Sequence, residues 1–151
     1  MNDLCSVSIT GAYSTILCTQ ENFLLKANLY KINQAMPNYS FIFNPAVKKK
    51  LNRGRPFNGM FIGYPTAMKD SVKDVSPDHH RIQAIVIENS GSKTLIVNTY
   101  FPTDKNEANA TNDGLEEVIA VIRDVVENVD CDTVVVTGDL NCDVSRKSWH
   151  T

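Results

Sequence analysis

Two patterns of apolar and polar residues alternate along the chain: short apolar runs of strand length, and segments with a helical period. The apolar runs end in polar or turn residues and predict strands over residues 14–21, 39–43, 57–64, 81–89, 93–101 and 132–139. Runs that stay apolar throughout are typical of strands buried on both faces. The short Ser-Gly-Ser segment between the fourth and fifth runs predicts a hairpin.

Two other segments have the three- and four-residue spacing of amphipathic helices. The first ends before Pro37 and has four apolar residues on one face, Leu25, Leu29, Ile32 and Met36. The second carries a longer stripe, Leu115, Val118, Ile119, Ile122, Val125, Val126 and Val129. Strands that flank two helices predict layers of sheet and helix. No glycine-rich loop joins a strand to a helix, which argues against a nucleotide-binding α/β fold.

Composition is that of one ordinary globular domain. The chain has 151 residues, of which 42% are hydrophobic and 21% charged, enough apolar surface for a core. The formal net charge of -2 excludes a globally basic nucleic-acid binder but leaves room for a local basic patch. The four cysteines lack the paired spacing of a metal site and predict free thiols in a reducing compartment: Cys5, Cys18, Cys131 and Cys142.

The chain shows no membrane or secretion signal in its sequence pattern. No apolar run approaches the roughly 20 residues that a membrane-spanning helix needs. The first ten residues lack the basic flank and long apolar stretch of a signal peptide. We therefore expect an intracellular protein, in the cytoplasm or nucleus, with no membrane partner.

The last predicted strand ends at a Gly-Asp-Leu-Asn turn. Because side chains two residues apart on a strand point to the same side, Asp139 and Asn141 are expected to converge just beyond the sheet edge. Alternatively the segment is only a polar turn, since Gly, Asp and Asn all suit turns. Two further strands also end in polar residues, at 20–21 and 98–100.

Four segments, in this order, resemble the endonuclease/exonuclease/phosphatase family: CTQENFL, RGRPFNGMFIGY, IVNTYFPTD and VVVTGDLN. The similarity is closest to the AP-endonuclease-like domains of non-LTR retrotransposons and covers most of residues 14–143. It implies an α/β fold of the α+β type, a partial four-layer, two-sheet sandwich of the DNase I-like kind. The activity it implies is divalent-metal-dependent phosphodiester hydrolysis, by descent that of a nucleic-acid endonuclease.

The resemblance also assigns roles to four residues. Glu21 falls at the family's metal-binding glutamate, and Tyr100 at the tyrosine that contacts the scissile phosphate. Asp139 falls at the aspartate that orients or deprotonates the attacking water, and Asn141 at the amide that binds a phosphate oxygen. The implied cofactor is Mg²⁺ or Mn²⁺, since a hydrated hard cation needs few protein carboxylates. A second carboxylate can serve as general base, while amide and phenol donate to phosphate oxygens.

Each of these residues also has a structural interpretation. Glu21 can be an acid favoured by a helix N-terminus, and Tyr100 a half-buried strand aromatic. His79 and His80 resemble a metal-binding pair, but they precede a strand and have no acidic partner nearby in the sequence, so we expect solvated loop residues. Gly59 is expected to allow a close approach of two backbone segments.

One basic segment offers a surface for a charged partner. Its five cations could grip nucleic-acid phosphates or simply lie on a solvated turn: Lys48, Lys49, Lys50, Arg53 and Arg55. The expected partner is DNA or another phosphodiester substrate. RNA, phosphoinositide and sphingolipid remain alternatives because the loops that select the substrate in the family lie mostly in the part of the domain that has no counterpart in this sequence.

The chain departs from the family pattern at both ends. No residue matches the asparagine that ends the family's opening strand, and the closing Ser-Asp-His segment has no counterpart, since Trp149 precedes His150. We therefore expect residues 1–151 to form a family domain truncated at both ends, with an incomplete active site. The alternative is a catalytically inactive fragment that acts at most as a binding module. An apolar sheet face and an unpaired edge would further predict self-association.

Overall fold

A computed structural model describes residues 6–7, 15–46, 58–102 and 113–141 of the chain. Within these residues the chain forms eight strands: β1 (Ser6–Val7), β2 (Ile16–Thr19), β3 (Tyr39–Asn44), β4 (Met60–Pro65), β5 (Val72–Asp74), β6 (Ile82–Asn89), β7 (Ser92–Tyr100) and β8 (Thr133–Asp139). The helices are α1 (Tyr30–Ala35), α2 (Asp113–Asn128) and two 3-10 helices, Lys26–Asn28 and Thr66–Ser71. In this part of the chain, no helix is long and apolar enough to cross a membrane.

The strands form two four-stranded sheets. The first has the order β1-β2-β4-β3 and is antiparallel throughout. The second has the order β5-β6-β7-β8, and its last pair is parallel because the connection between β7 and β8 passes through α2. The predicted hairpin joins β6 to β7, and Ser90 and Gly91 both have positive φ, 52° and 82°. This is the two-residue turn whose twist suits a hairpin.

One hydrophobic core lies between the two sheets. Its buried residues come from both sheets, namely Ile16, Cys18, Ile62, Tyr64, Ile85 and Ile96. Because these residues lie on the inner faces, the sheets pack face to face as a sandwich.

A second core lies between the other face of the second sheet and α2. Leu95 and Val97 of β7 face the helix, whereas Ile96 between them faces the first sheet. This alternation explains why the strand is apolar at consecutive positions. Val118 and Val125 of α2 are buried here, and each contributes about 1.5–3 kcal/mol by leaving water.

The observed elements confirm the six predicted strands, the hairpin and α2, and correct the first helix. That helix was expected to include Leu25 and Leu29, but α1 begins only at Tyr30. Leu25 instead forms a bridge with Ala46, which draws the chain before α1 into contact with the first sheet. The short strands β1 and β5 were not predicted. Cys131 is a free thiol, whereas Cys5 and Cys142 lie outside the described residues.

Candidate active site

The ends of β7 and β8 bring two of the predicted site segments together. Tyr100 is the register partner of Asp139 on the neighbouring parallel strand. The Phe101 N–H then donates to the Asp139 carbonyl oxygen at 2.8 Å. The tyrosine and the aspartate, far apart in sequence, therefore lie at the same edge of the second sheet.

The loop after β2 carries Glu21 toward that edge. Glu21 and Phe23 both have positive φ, 47° and 57°, a left-handed conformation that bulky residues rarely adopt. The loop is held by two bonds to the start of the β4 segment: Asn22 N–H donates to the Gly59 carbonyl at 3.0 Å, and Phe23 N–H to that of Asn58 at 3.2 Å. A Cβ at Gly59 would lie 2.5 Å from the Asn22 side-chain oxygen. The expected close backbone approach at Gly59 is confirmed.

The Tyr100 side chain joins the two loops. Its hydroxyl shares hydrogen bonds with the Glu21 carboxylate and the Asn141 amide. Burial raises the pKa of Tyr100 above its usual 10.0, and the Glu21 carboxylate raises it further, while Asn141 and the Arg81 charge act in the opposite direction. The phenol therefore stays protonated at neutral pH and remains a hydrogen-bond donor.

The Gly-Asp-Leu-Asn segment is a turn closed by its own side chains. The Asn141 N–H donates to Asp139 Oδ1 at 2.9 Å, and Asn141 Nδ2 donates to the Phe101 carbonyl at 2.6 Å. Asn141 has a φ of 45°, which asparagine tolerates in turns. The segment is thus a polar turn, and this turn places the Asn141 amide beside Tyr100. Asp139 is exposed, and Oδ2 makes no hydrogen bond with the described residues.

Buried amides fix the end of β2 onto the second sheet. Asn98, two residues before Tyr100, is fully buried and donates to the Thr19 carbonyl at 3.1 Å. It also accepts a hydrogen bond from the Gln20 side chain. Side-chain hydrogen bonds of Asn98 therefore connect the end of β7 to the end of β2, directly before Glu21.

Arg81 is a site residue that the motifs did not identify. Its guanidinium lies over the Tyr100 ring, with Cζ 5.3 Å from the ring centre, and its carbonyl accepts the Tyr100 N–H at 3.0 Å. The sequence did contain a signal. Once the hairpin is aligned by its turn, Ile82 pairs with Thr99, and the next position outward is Arg81 opposite Tyr100.

The structure corrects one prediction about the two histidines. His79, expected to be solvated and without an acidic partner, has a side chain that is only 9% exposed and lies 3.7 Å from the Glu117 carboxylate. The partner was missed because it comes from α2. His80 is exposed, as predicted, although its ring stacks on His79. Partial desolvation of the ring and the neighbouring Arg81 charge lower its pKa below 6.5.

The basic segment lies outside the described residues, so its five cations stay a prediction: Lys48, Lys49, Lys50, Arg53 and Arg55.

The oxygen donors at this edge suit a hydrated hard cation. Glu21 supplies a half-buried carboxylate, and Asp139 an exposed one. In the described part of the chain, no three acidic, histidine or cysteine side chains cluster as metal ligands. Mg²⁺ commonly keeps several waters and takes one or two protein carboxylates, so this donor set fits it.

Comparison with protein-family models and with curated proteins finds no match. Among solved structures, the AP endonuclease LMAP of Leishmania major superposes with a TM-score of 0.61 at 16% identity, over 83% of this chain and 45% of its own. The human Nocturnin catalytic domain gives 0.56 at 14% identity, over 86% and 52%. A humanized D. rerio TDP2 gives 0.55 at 15% identity, over 85% and 49%.

The chain spans about half the length of each of these three proteins. The similarity shows a DNase I-like α+β fold and confirms the predicted fold class.

Proposed function

We propose that this chain is a divalent-metal-dependent phosphodiester hydrolase, by descent a nucleic-acid endonuclease, acting at the edge formed by the ends of β7 and β8. The observation that carries the proposal is the position of Tyr100. Its hydroxyl bonds to Glu21 and Asn141, while Asp139 is its register partner. Structural neighbours support the substrate class, since one is an AP endonuclease and another is TDP2 crystallised with a single-strand DNA product.

Each residue has a distinct task in this proposal. Asp139 accepts a proton from the attacking water, since its Oδ1 already bonds within the turn and Oδ2 is left for the water. Asn141 and the protonated Tyr100 donate to phosphate oxygens as negative charge builds on them. Their present acceptors, the Phe101 carbonyl and Glu21, keep both groups at the sheet edge before substrate binds.

Glu21 is the proposed tether for Mg²⁺ or Mn²⁺. A bound cation would offset the charge of the phosphodiester. The left-handed conformation at Glu21 supports this role, because strained backbone tends to persist where function requires it.

Two further parts of the proposal concern the type of endonuclease and the oligomeric state of the chain. The order of the four sequence motifs favours a retrotransposon-like endonuclease within the superfamily. The exposed face of β8 favours self-association of the chain.

A second candidate function is a binding module that no longer hydrolyses its ligand. It is favoured because, within the described residues, no imidazole contacts Tyr100. The His79 imidazole lies against the Glu117 carboxylate instead. With fewer preorganised charges, each worth about 10²–10³ in rate, hydrolysis would be very slow.

Nicking of supercoiled plasmid with Mg²⁺ tests both functions. We expect very weak nicking that chelator abolishes and that Asp139→Ala removes, since a general base contributes about 10²–10⁴ in rate. Asp70→Ala is the matched control, because Asp70 is exposed on a 3-10 helix away from the site. Robust nicking that survives Asp139→Ala would refute the catalytic role of this turn. Plasmid binding without any nicking would favour the binding module.

A further inference from the structure

The Arg81 side chain is half-buried, and one of its guanidinium nitrogens has no acceptor among the described residues. Its Nη1 is buried and has no hydrogen-bond partner among the described residues, and none of their carboxylates forms an ion pair with the guanidinium. Most buried polar groups in proteins are hydrogen-bonded, and a buried charge without a partner is costly. Within the described part of the chain, Nη1 therefore lacks the acceptor that a buried nitrogen normally has.

Three contacts hold Arg81 in this position. Its N–H donates to His79 Nδ1 at 3.2 Å, and its carbonyl accepts the Tyr100 N–H at 3.0 Å. The guanidinium itself lies over the Tyr100 ring. The backbone and the head group are thus both fixed next to a side chain of the candidate site.

Among the described residues, none of the carboxylates around Tyr100 forms an ion pair with Arg81. Glu117 lies against His79, and Glu21 accepts the Tyr100 hydroxyl. Asp139 accepts the Asn141 N–H. The charge of Arg81 is left over after these pairings, and an arginine fork fits the two oxygens of a phosphate.

We propose that Arg81 binds a phosphate oxyanion in this site, with the guanidinium held in place by Tyr100. The inference deepens the proposed function, on which it rests for the identity of the anion as a phosphodiester. Arg81 supplies the positive charge that the described part of the site otherwise lacks. Tyr100 then has two tasks, since its hydroxyl donates to the phosphate and its ring carries the cation.

Anion binding can be measured without hydrolysis. A labelled single-stranded oligonucleotide is titrated with the full chain in chelator, and its fluorescence anisotropy is followed. We expect Arg81→Met to weaken binding about tenfold, the value of one charge-assisted hydrogen bond. Arg123→Met removes the same charge from an exposed position on α2 and should change affinity less than about twofold. Equal losses in the two variants would overturn the proposal.

A second measurement uses the wild-type chain, so it does not depend on the folding of Arg81→Met. With ¹⁵N-labelled arginine, inorganic phosphate should shift the Arg81 Nε–H resonance and leave that of Arg123 in place. If inorganic phosphate shifts the Arg81 resonance but oligonucleotide binding does not depend on Arg81, the anion site is supported and its ligand is free phosphate. An unmoved Arg81 resonance with both probes would refute it.

The same assays separate this inference from the proposed function. If the wild type never nicks DNA but its binding depends on Arg81, hydrolysis fails and the anion site stands. If nicking is real and unaffected in Arg81→Met, the anion site fails and hydrolysis stands.

Discussion

At the scale of single residues, the candidate site is made by unusual backbone conformations. Glu21 and Asn141 both have positive φ, and so does Gly138, immediately before Asp139. Such conformations cost free energy in residues with a side chain, and they persist only when surrounding contacts enforce them. The left-handed turns at Glu21 and Asn141 end their strands, so that both side chains reach the Tyr100 hydroxyl.

Glu21 is predicted to be the principal tether of the metal. In Glu21→Gln the charged ligand is lost while the size of the side chain is kept, so Mg²⁺ or Mn²⁺ binding should weaken about tenfold or more. Isothermal titration calorimetry of the two proteins measures this directly. Glu116→Gln, on the exposed part of α2, is the control. Identical titrations for wild type and Glu21→Gln would remove Glu21 from the metal site.

Gly138 is predicted to be intolerant of any side chain. Its φ is 137°, and a Cβ there would lie 1.8 Å from the Thr99 carbonyl oxygen, a rigid backbone atom. Gly138→Ala should cost about 3 kcal/mol or more, which urea denaturation reports. Gly91→Ala is the matched control, since its φ is 82° but no atom lies within 4 Å of the added Cβ. It should cost only about 1 kcal/mol. Similar losses at both glycines would rule out the contact with Thr99 as the cause.

At the scale of elements, the site depends on how the two sheets are tied together. β2 contributes the Glu21 loop, whereas β7 and β8 contribute Tyr100 and Asp139, so the site exists only if the sheets keep their relative position. The Asn98 side chain spans this gap by its bonds to Thr19 and Gln20. A buried amide with several partners specifies the packing more strongly than apolar contacts do.

Asn98→Ala should therefore destabilise the fold and weaken metal binding together. Loss of the amide leaves the Thr19 carbonyl buried without this donor, at a cost of about 1–3 kcal/mol. Asn89→Ala, an exposed residue at the end of β6, is expected to change stability by less than about 0.5 kcal/mol. Chemical denaturation and calorimetry on the same samples report both effects. Unchanged metal affinity in a folded Asn98→Ala protein would show that the tie does not position Glu21.

At the scale of the whole molecule, one face of the second sheet is covered unevenly. Val134 and Val136 of β8 pair in register with Leu95 and Val97, which are fully buried under α2. The two β8 valines are nevertheless 40% and 47% exposed. Within the described residues β8 is the edge strand of its sheet, so its outer backbone groups are also unpaired. Exposed apolar edges of this kind promote association.

We therefore predict that the chain self-associates or is only marginally stable. Val136→Lys places a charge on the exposed face and should shift sedimentation toward the monomer. Lys73 of β5, on the opposite edge, offers a control, since Lys73→Ala leaves the β8 face unchanged. A wild-type chain that is monomeric and melts cooperatively well above about 60 °C would contradict the prediction, because most mesophilic domains melt below that temperature.

The sequence by itself determined the features that depend on neighbouring residues. Side-chain periodicity located α2, the six strands and the hairpin turn, because burial on one or both faces imposes a spacing on the apolar residues. Turn chemistry and the four motifs placed Asp139 and Asn141 at a strand end and singled out Glu21 and Tyr100. Each of these features depends on residues within one or two consecutive elements of the chain.

The tertiary structure decided every feature that joins residues distant in the chain. Leu25 forms a bridge with Ala46 instead of extending a helix. This outcome depends on contacts with the first sheet, and local helix propensity carries no information about those contacts. The contact of His79 with Glu117 depends on the position of α2, and the proposed role of Arg81 depends on its position over the Tyr100 ring. The candidate site is assembled because packing of the two sheets brings the ends of β2, β7 and β8 together. The periodicity of apolar residues does not predict which strand ends become neighbours, because their position results from the simultaneous burial of sheet faces that are distant in the chain.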